Sequence, residues 1–219
     1  MTRVREGERL GIFGGSFDPI HVGHLILAEV ARERLQLSKV LFVPAAISPL
    51  KLDAAPRADA KQRLEMIQLS IGGNEHFAAD DRELERAGPS YTVDTLRELQ
   101  SEFVSGAESK ELVFLMGADS LASFDRWKDP HEICRLATMA VLSRGGHQPP
   151  SPNELAVFLP QPENAAAHIH PMPQLEISSS DIRNRVGIGQ STRYQLHPAV
   201  AAYVQSQGLY RSSSKTSAD

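Results

Sequence analysis

Residues 10–25 constrain the fold of this chain more than any other stretch, because they join three elements that fit together in few ways. Leu10, Ile12 and Phe13 form a short apolar run of the kind that makes a buried strand. Gly14 and Gly15 follow, and without a Cβ they let the chain turn and let a ligand approach the backbone. From Leu25 onward the apolar residues recur at helical spacing, so the turn leads into a helix N-terminus. Asp18 holds this turn and Pro19 sets its direction. His21 and His24 stand three residues apart where the helix begins. The unpaired N–H groups at such an end favour an anion by roughly 0.3–1 kcal/mol when exposed, and more when partly buried. Imidazoles beside them add donors for phosphate oxygens and offset charge that builds on phosphorus and on a departing pyrophosphate.

The remaining pattern extends this unit into an α/β chain. Residues 39–44 read as a second strand stopped by Pro44, followed by a loop with Pro49, Lys51 and Pro56. A helix over 59–71 carries Leu64, Ile67 and Ile71. Residues 76–79 are a weaker strand, 80–89 a polar connector, and 92–104 a helix with Val93, Leu96, Leu99 and Phe103 on one stripe. Strands are predicted at 111–116 and 138–142, with a short helix marked by Ile133 and Leu136 between them. Proline and polar residues dominate 145–162, and 168–172 is the last strand. Ser180 is placed to cap a helix bearing Ile182 and Val186, and His197-Pro198 opens another that Gly208 closes. The alternation predicts a Rossmann-like, doubly wound parallel sheet with helices on both faces and a small C-terminal helical part. One domain over residues 1–211 and a loose polar tail over 212–219 are expected.

Composition narrows the function. The 219 residues hold 23 Lys and Arg against 27 Asp and Glu, a formal charge of -4 that gives no bulk attraction to nucleic acid or to an anionic membrane. Cys134 is the single cysteine, and the N-terminus has no long apolar core, which points to a reducing, cytoplasmic setting. No His, Cys, Asp or Glu cluster has the spacing of a protein-built metal site, so Mg²⁺ is expected to arrive with a nucleotide. Neither a G-x-x-x-x-G-K-[ST] loop nor a G-x-S-x-G elbow occurs, which argues against a P-loop ATPase and a serine hydrolase. Oligomeric state is left open, a homo-oligomer included.

Several further clusters bear chemistry. Ser178, Ser179, Ser180 and Arg183 place three hydroxyls and a guanidinium fork at a helix start, a second jaw for a polyphosphate; the plainer reading is a serine cap beside a solvated arginine. Lys51, on its proline-rich loop, is able to swing onto phosphates. Asp119 follows a strand within Gly117-Ala118-Asp119-Ser120, where an acidic residue can accept from a ribose hydroxyl. Trp127 stands in a polar neighbourhood, suited either to a flat ligand or to the edge of a core. Ser90, Tyr91 and Thr92 precede a helix whose N–H groups suit a carboxylate.

Taken together, these residues resemble a known family. Residues 14–24, Gly-Gly-Ser-Phe-Asp-Pro-Ile-His-Val-Gly-His, resemble the first signature of the nucleotidyltransferase superfamily, and 177–183 its second, I-S-S-T-x-I-R. Residues 88–96, 117–120 and 124–127, with the Gln207-Gly208-Leu209-Tyr210-Arg211 ending, are similar to bacterial nicotinate-nucleotide adenylyltransferases. The resemblance runs from about residue 10 to residue 211. It implies transfer of AMP from ATP to nicotinate mononucleotide, giving deamido-NAD and pyrophosphate. It also implies that His21, His24 and Arg183 carry the catalysis, and that Gly14, Gly15, Ser16, Phe17, Lys51, Gly117, Asp119, Ser179 and Ser180 bind ATP. Nicotinate mononucleotide would then meet Ser90, Tyr91, Thr92, Trp127 and Arg144, with Trp127 on the pyridine ring and the Tyr91 and Thr92 backbone on its carboxylate. Two departures stand out: Ser48-Pro49-Leu50-Lys51 replaces the family's P-P-H-K and so lacks a histidine, and Ser180 replaces a threonine while keeping the hydroxyl. An adenylyltransferase for nicotinamide mononucleotide or another phosphorylated acceptor is the alternative enzyme, and a nucleotide-binding regulator without turnover the alternative of another class.

Overall fold

The computed structural model describes residues 8–47, 49, 55–104, 111–144 and 151–211. Lys51 and residues 212–219 lie outside them, as does the side chain of Arg144. The elements run β1 (Arg9–Gly15), α1 (Val22–Arg34), β2 (Lys39–Pro44), α2 (Ala60–Ile71), β3 (Phe77–Ala79), α3 (Arg82–Glu85) and α4 (Thr92–Val104). Then follow β4 (Glu111–Gly117), α5 (Ala118–Leu121), a 3₁₀ turn (Phe124–Arg126), α6 (Pro130–Leu136) and β5 (Thr138–Arg144). The chain closes with α7 (Pro152–Ala156), a second 3₁₀ segment (Pro162–His168), β6 (Ile169–Met172), α8 (Ser179–Gly187) and α9 (Pro198–Ser206).

Among the described residues the strands form one sheet in the order β3-β2-β1-β4-β5-β6, with every neighbouring pair parallel. Pairing of β1 with both β2 and β4 makes it the point where the winding reverses, and the crevice between the C-terminal ends of β1 and β4 is where such sheets take their ligands. Both edge strands are short, and Pro171 removes a donor from β6, which limits pairing with other chains.

Period-two alternation along the central strands splits the core into two layers. Leu10 and Ile12 of β1 face the same layer as Leu112, Phe114 and Met116 of β4, together with Leu96, Leu99, Phe124 and Ile133. Phe13, Val113 and Leu115 face the other, with Leu27, Ala28, Met66, Ile67, Ile182, Val200 and Val204. Full burial of each such Leu, Ile or Phe contributes about 1.5–3 kcal/mol, so covering both faces accounts for the near-continuous apolar strands. Helix starts follow local rules: Asp59 caps α2 by accepting from Gln62 N–H at 2.8 Å while Gln62 Oε1 accepts from Asp59 N–H at 3.0 Å.

The structure corrects several expectations. Gly14 and Gly15 are the last two residues of β1, and the reversal comes two residues later, where Phe17 takes φ 48° and a cis peptide joins Asp18 to Pro19. At Gly15 a Cβ would come within 3.1 Å of the Phe17 ring, so glycine there leaves room for that ring. α1 starts at Val22, so His21 is its N-cap. Residues 80–89 are more than a polar connector, since α3 lies within them and buries Glu83. The stretch 145–162 similarly contains α7, whose start is set by Ser151 accepting from Asn153 N–H at 3.3 Å. His168 ends the 3₁₀ segment, and the last strand starts at Ile169.

Candidate active site

Two groups of predicted residues meet at the β1–β4 crevice. The first lines a cavity of about 430 Å³: Gly14, Gly15 and Ser16 on one side, Ser90, Tyr91 and Thr92 on another, and Asp119 and Trp127 across from them. Asp119 reaches it because Gly117 ends β4 as the N-cap of α5. A Cβ at Gly117 would lie 3.1 Å from the Asp119 carboxylate, so glycine is what allows that side chain its place. Trp127 is wedged edge-on against Phe114 and Phe124, at centroid distances of 6.0 and 5.4 Å, and its buried indole N–H has no partner among the described residues. Tyr91 carries the Lys128 ammonium 4.7 Å from its ring centroid, and Tyr91 O accepts from Asp94 N–H at 3.0 Å, opening α4. The Thr92 N–H, at the first position of that helix, has no intrahelical acceptor.

The second group is built around α1 and α8. His21 is buried and stacks on His24 with ring centroids 3.7 Å apart. A Cβ at Gly23 would come within 3.0 Å of the His21 ring, so glycine keeps that ring where it is. His24 Nδ1 accepts from the His21 backbone N–H at 3.2 Å. This bond leaves Nε2 as the protonated nitrogen of the neutral ring, a donor on the opposite edge. Phe17 is buried in the core and packs edge-to-face on His24 at 5.1 Å. Its side chain therefore supports the histidine, and only its backbone is left to meet a nucleotide.

Asp18 ties the second group to the start of α2 and to the C-terminal end of the described chain. It is 4% exposed, and its oxygens accept from Arg57 N–H at 2.8 Å, Ala58 N–H at 3.0 Å and the Tyr210 hydroxyl at 2.7 Å. Burial, together with Asp18, pushes the Tyr210 phenol well above its ordinary pKa, so it stays a donor. Arg183 Nη1 donates to Asp18 O at 2.7 Å and pairs with its carboxylate at 3.7 Å, while Nη2 donates to Ser180 Oγ at 3.1 Å. Arg183 Nε is buried without a protein partner.

The serine cluster is redistributed relative to expectation. Ser178, not Ser180, is the N-cap of α8 and accepts from Asp181 N–H at 3.1 Å. Ser179 donates to Pro19 O at 2.9 Å, stitching α8 to the turn after β1, and Ser180 orients Arg183. Ser90 is also engaged, accepting from Ala46 N–H at 2.9 Å, so it shapes the loop more than it presents a free hydroxyl.

Sequence reading missed Arg63 and Glu83. Arg63 is 2% exposed, and its Nη1 donates to Ser16 O at 2.9 Å and to Ala45 O at 2.7 Å, holding the loops that follow β1 and β2. Burial lowers its pKa, opposed by the nearby Asp18 carboxylate. Its signal was available: Arg63 falls four residues before Ile67 and eight before Ile71, a charge on the apolar stripe of its helix. Among the described residues no three His, Cys, Asp or Glu side chains converge as a metal site, and both Asp18 oxygens are already taken by N–H and O–H donors.

A cytidylyltransferase-like family model matches residues 12–185. A probable nicotinate-nucleotide adenylyltransferase of Rhodopirellula baltica is 42% identical over 212 residues, 96% of this chain and 97% of that one. Its counterpart from Thermomicrobium roseum is 45% identical, over 93% of this chain and 92% of its own. The chain belongs to the nicotinate-nucleotide adenylyltransferase family. Within that family the fold extends to distant members. The Plasmodium falciparum nicotinic acid mononucleotide adenylyltransferase, solved with NaAD, superposes with a TM-score of 0.70 at 18% identity, covering 93% of this chain and 97% of that one. The same enzyme solved with APC gives the same TM-score at 17% identity. The family model covers the histidine-capped helix and the Ser179–Arg183 segment alike, so both jaws of the site lie inside the shared core.

Proposed function

We propose that this protein transfers AMP from ATP to nicotinate mononucleotide, forming deamido-NAD and pyrophosphate in NAD biosynthesis. The observation that carries the reading is the junction at the β1–β4 crevice. There the turn that leads into the histidine-capped start of α1, with Arg183 held on its Asp18, follows Gly14, Gly15 and Ser16, which line a cavity with Trp127 and the N-terminus of α4. One end suits a polyphosphate, and the other suits a flat ring bearing a carboxylate. Relatives that are 42% and 45% identical across nearly the whole chain support the same assignment.

In this scheme a 5′-phosphate oxygen of nicotinate mononucleotide attacks the α-phosphorus of ATP in line. The bond from the α-phosphorus to the bridging oxygen breaks, and that oxygen leaves with pyrophosphate. The protein's task is to position and to stabilise charge. The His24 Nε2–H, the α1 N-terminus and the Arg183 guanidinium supply donors for oxygens that gain charge. Asp119 accepts from a ribose, Trp127 faces the pyridine, and the N–H groups at the start of α4 take the carboxylate. Mg²⁺ enters with ATP and offsets phosphate charge. The reading takes residues 1–211 as one nucleotidyltransferase domain, supported by a sheet that runs unbroken from β3 to β6. The buried free thiol of Cys134 fits a reducing, cytoplasmic setting.

The test is pyrophosphate release from ATP with nicotinate or nicotinamide mononucleotide as acceptor under identical conditions. Turnover at least about tenfold faster with the acid is expected, since one charged hydrogen bond contributes about 1.5–3 kcal/mol. Equal rates would remove the acid preference, and no pyrophosphate with either acceptor would remove the activity.

A further inference from the structure

Glu83 stands in the wall of the cavity, 8% exposed, and no step of the proposed reaction uses it. α3 is a single turn that delivers this carboxyl against the start of α4. Thr95 Oγ1 donates to Glu83 Oε1 at 2.6 Å, and the Ser90 hydroxyl favours the charged form of the same carboxyl. Both hydroxyls also accept from elsewhere. Thr95 Oγ1 accepts from Arg86 Nη1 at 3.3 Å and Nη2 at 3.4 Å, and Ser90 Oγ accepts from Ala46 N–H at 2.9 Å. A hydroxyl has one proton, and Thr95 spends its own on Glu83. The position therefore calls for an acceptor.

What this pairing holds in place is the route between the two halves of the site. Ala45 N–H donates to Gly15 O at 2.9 Å, Arg63 grips Ala45 O and Ser16 O, and Ser90 N–H donates to Ile47 O at 2.9 Å. Residues 45–47 thus form a strap from the glycine end of β1 to the loop entering α4. At the far end, Thr95 N–H closes on Tyr91 O at 3.3 Å. We propose that Glu83 is a positioning residue for the acid substrate. By taking the Thr95 proton it orients the Tyr91–Thr92 backbone at the cavity, beside the Ser90 bonds to the strap behind the glycine turn. The proposal rests on the reading of this cavity as the nicotinate mononucleotide site.

Glutamine at this position replaces a charged acceptor with a neutral one that also carries an amide donor, so the bond from Thr95 loses its charge assistance. The Arg63 end of the strap would be untouched. Steady-state pyrophosphate release by the full chain, with each substrate varied at saturating levels of the other, separates the two ends. Glu83→Gln and Thr95→Val are expected to raise KM for nicotinate mononucleotide about tenfold, the loss of one hydrogen bond to a charged group, with KM for ATP within about twofold. Thr95→Ser, which keeps the hydroxyl, is expected to hold wild-type values, and the Glu83→Gln/Thr95→Val double variant to be no worse than either single one. An unchanged KM for nicotinate mononucleotide in both single variants overturns the proposal, and so does a parallel rise in both KM values. Should Glu83→Gln fail to fold, the Thr95→Val and Thr95→Ser pair decides alone. Wild-type turnover is the control: its absence overturns the activity and this role with it, whereas an active wild type with unaltered variants overturns the role of Glu83 only.

Discussion

His24 has two separable tasks, and two substitutions pull them apart. Its Nδ1 accepts from the His21 N–H at 3.2 Å, the bond a capping-box residue makes at the third helical position, while the opposite edge of the ring carries the donor assigned to phosphate. His24→Ala loses both. The lost cap costs about 0.5–2 kcal/mol, and at about 2–4 °C per kcal/mol for a chain of this size the melting temperature should fall by about 1–8 °C. Loss of one transition-state donor costs about 2.7–4 kcal/mol, or about a hundredfold to a thousandfold in turnover. His24→Gln should restore only the first quantity. Gln62 already makes the equivalent bond in α2, where its Oε1 accepts from Asp59 N–H at 3.0 Å, so glutamine at this helical position has a working precedent within the same molecule. We therefore expect His24→Gln to melt close to wild type yet turn over about a hundredfold more slowly, measured by pyrophosphate release at saturating substrates beside a thermal scan. A His24→Gln enzyme within threefold of wild-type turnover would refute the catalytic role and leave His24 a cap.

Tyr210→Phe removes the hydroxyl from a buried carboxylate that also holds Arg183, and should cost about 1.5–3 kcal/mol in urea denaturation while raising KM for ATP; no change in either would disconnect the C-terminus from the site. Arg63→Met leaves Ser16 O and Ala45 O without their donor, and a loss of about 2–5 kcal/mol by denaturant titration is expected, with a stability within 0.5 kcal/mol of wild type as the contrary result. Burial pushes the Glu83 carboxyl up from its ordinary range against the pull of Thr95 and Ser90. A raised carboxyl contributes stability that is fully present below the unfolded pKa, about 4.3, and is lost as pH rises through the folded value. The stability of wild type relative to Glu83→Gln should accordingly decline over that window, read from denaturation midpoints at stepped pH; a difference that grows with pH would show a carboxyl held below its ordinary range.

How much of the site was legible depended on how local its geometry is. The strand, glycine and histidine order of residues 10–25 specified a ligand-binding end, because a strand feeding a helix leaves N–H groups unpaired whatever surrounds them. The His197-Pro198 start and Gly208 end of α9 were equally readable, since a proline at the first helical position and a glycine with φ 62° after the last turn satisfy purely local rules. Ser180 was misread as the cap of α8 because three successive serines offer the same hydroxyl, and only the packing of α8 on the Asp18–Pro19 turn assigned Ser178 to the cap, Ser179 to Pro19 and Ser180 to Arg183.

By itself, the sequence determined that this chain winds a parallel sheet, that its first turn leads into a helix N-terminus suited to an anion and that Trp127 stands apart from the apolar runs, since periodicity, glycine placement and residue chemistry all act within a few positions. Tertiary structure alone decided which polar groups are spent on holding the site and which are left for substrate. Asp18 gathers Arg57, Ala58, Tyr210 and Arg183 across up to 192 residues of sequence, and Glu83 gathers Ser90 and Thr95 behind the cavity wall. A buried carboxyl must find its donors wherever the fold brings them, and no local pattern records where that is.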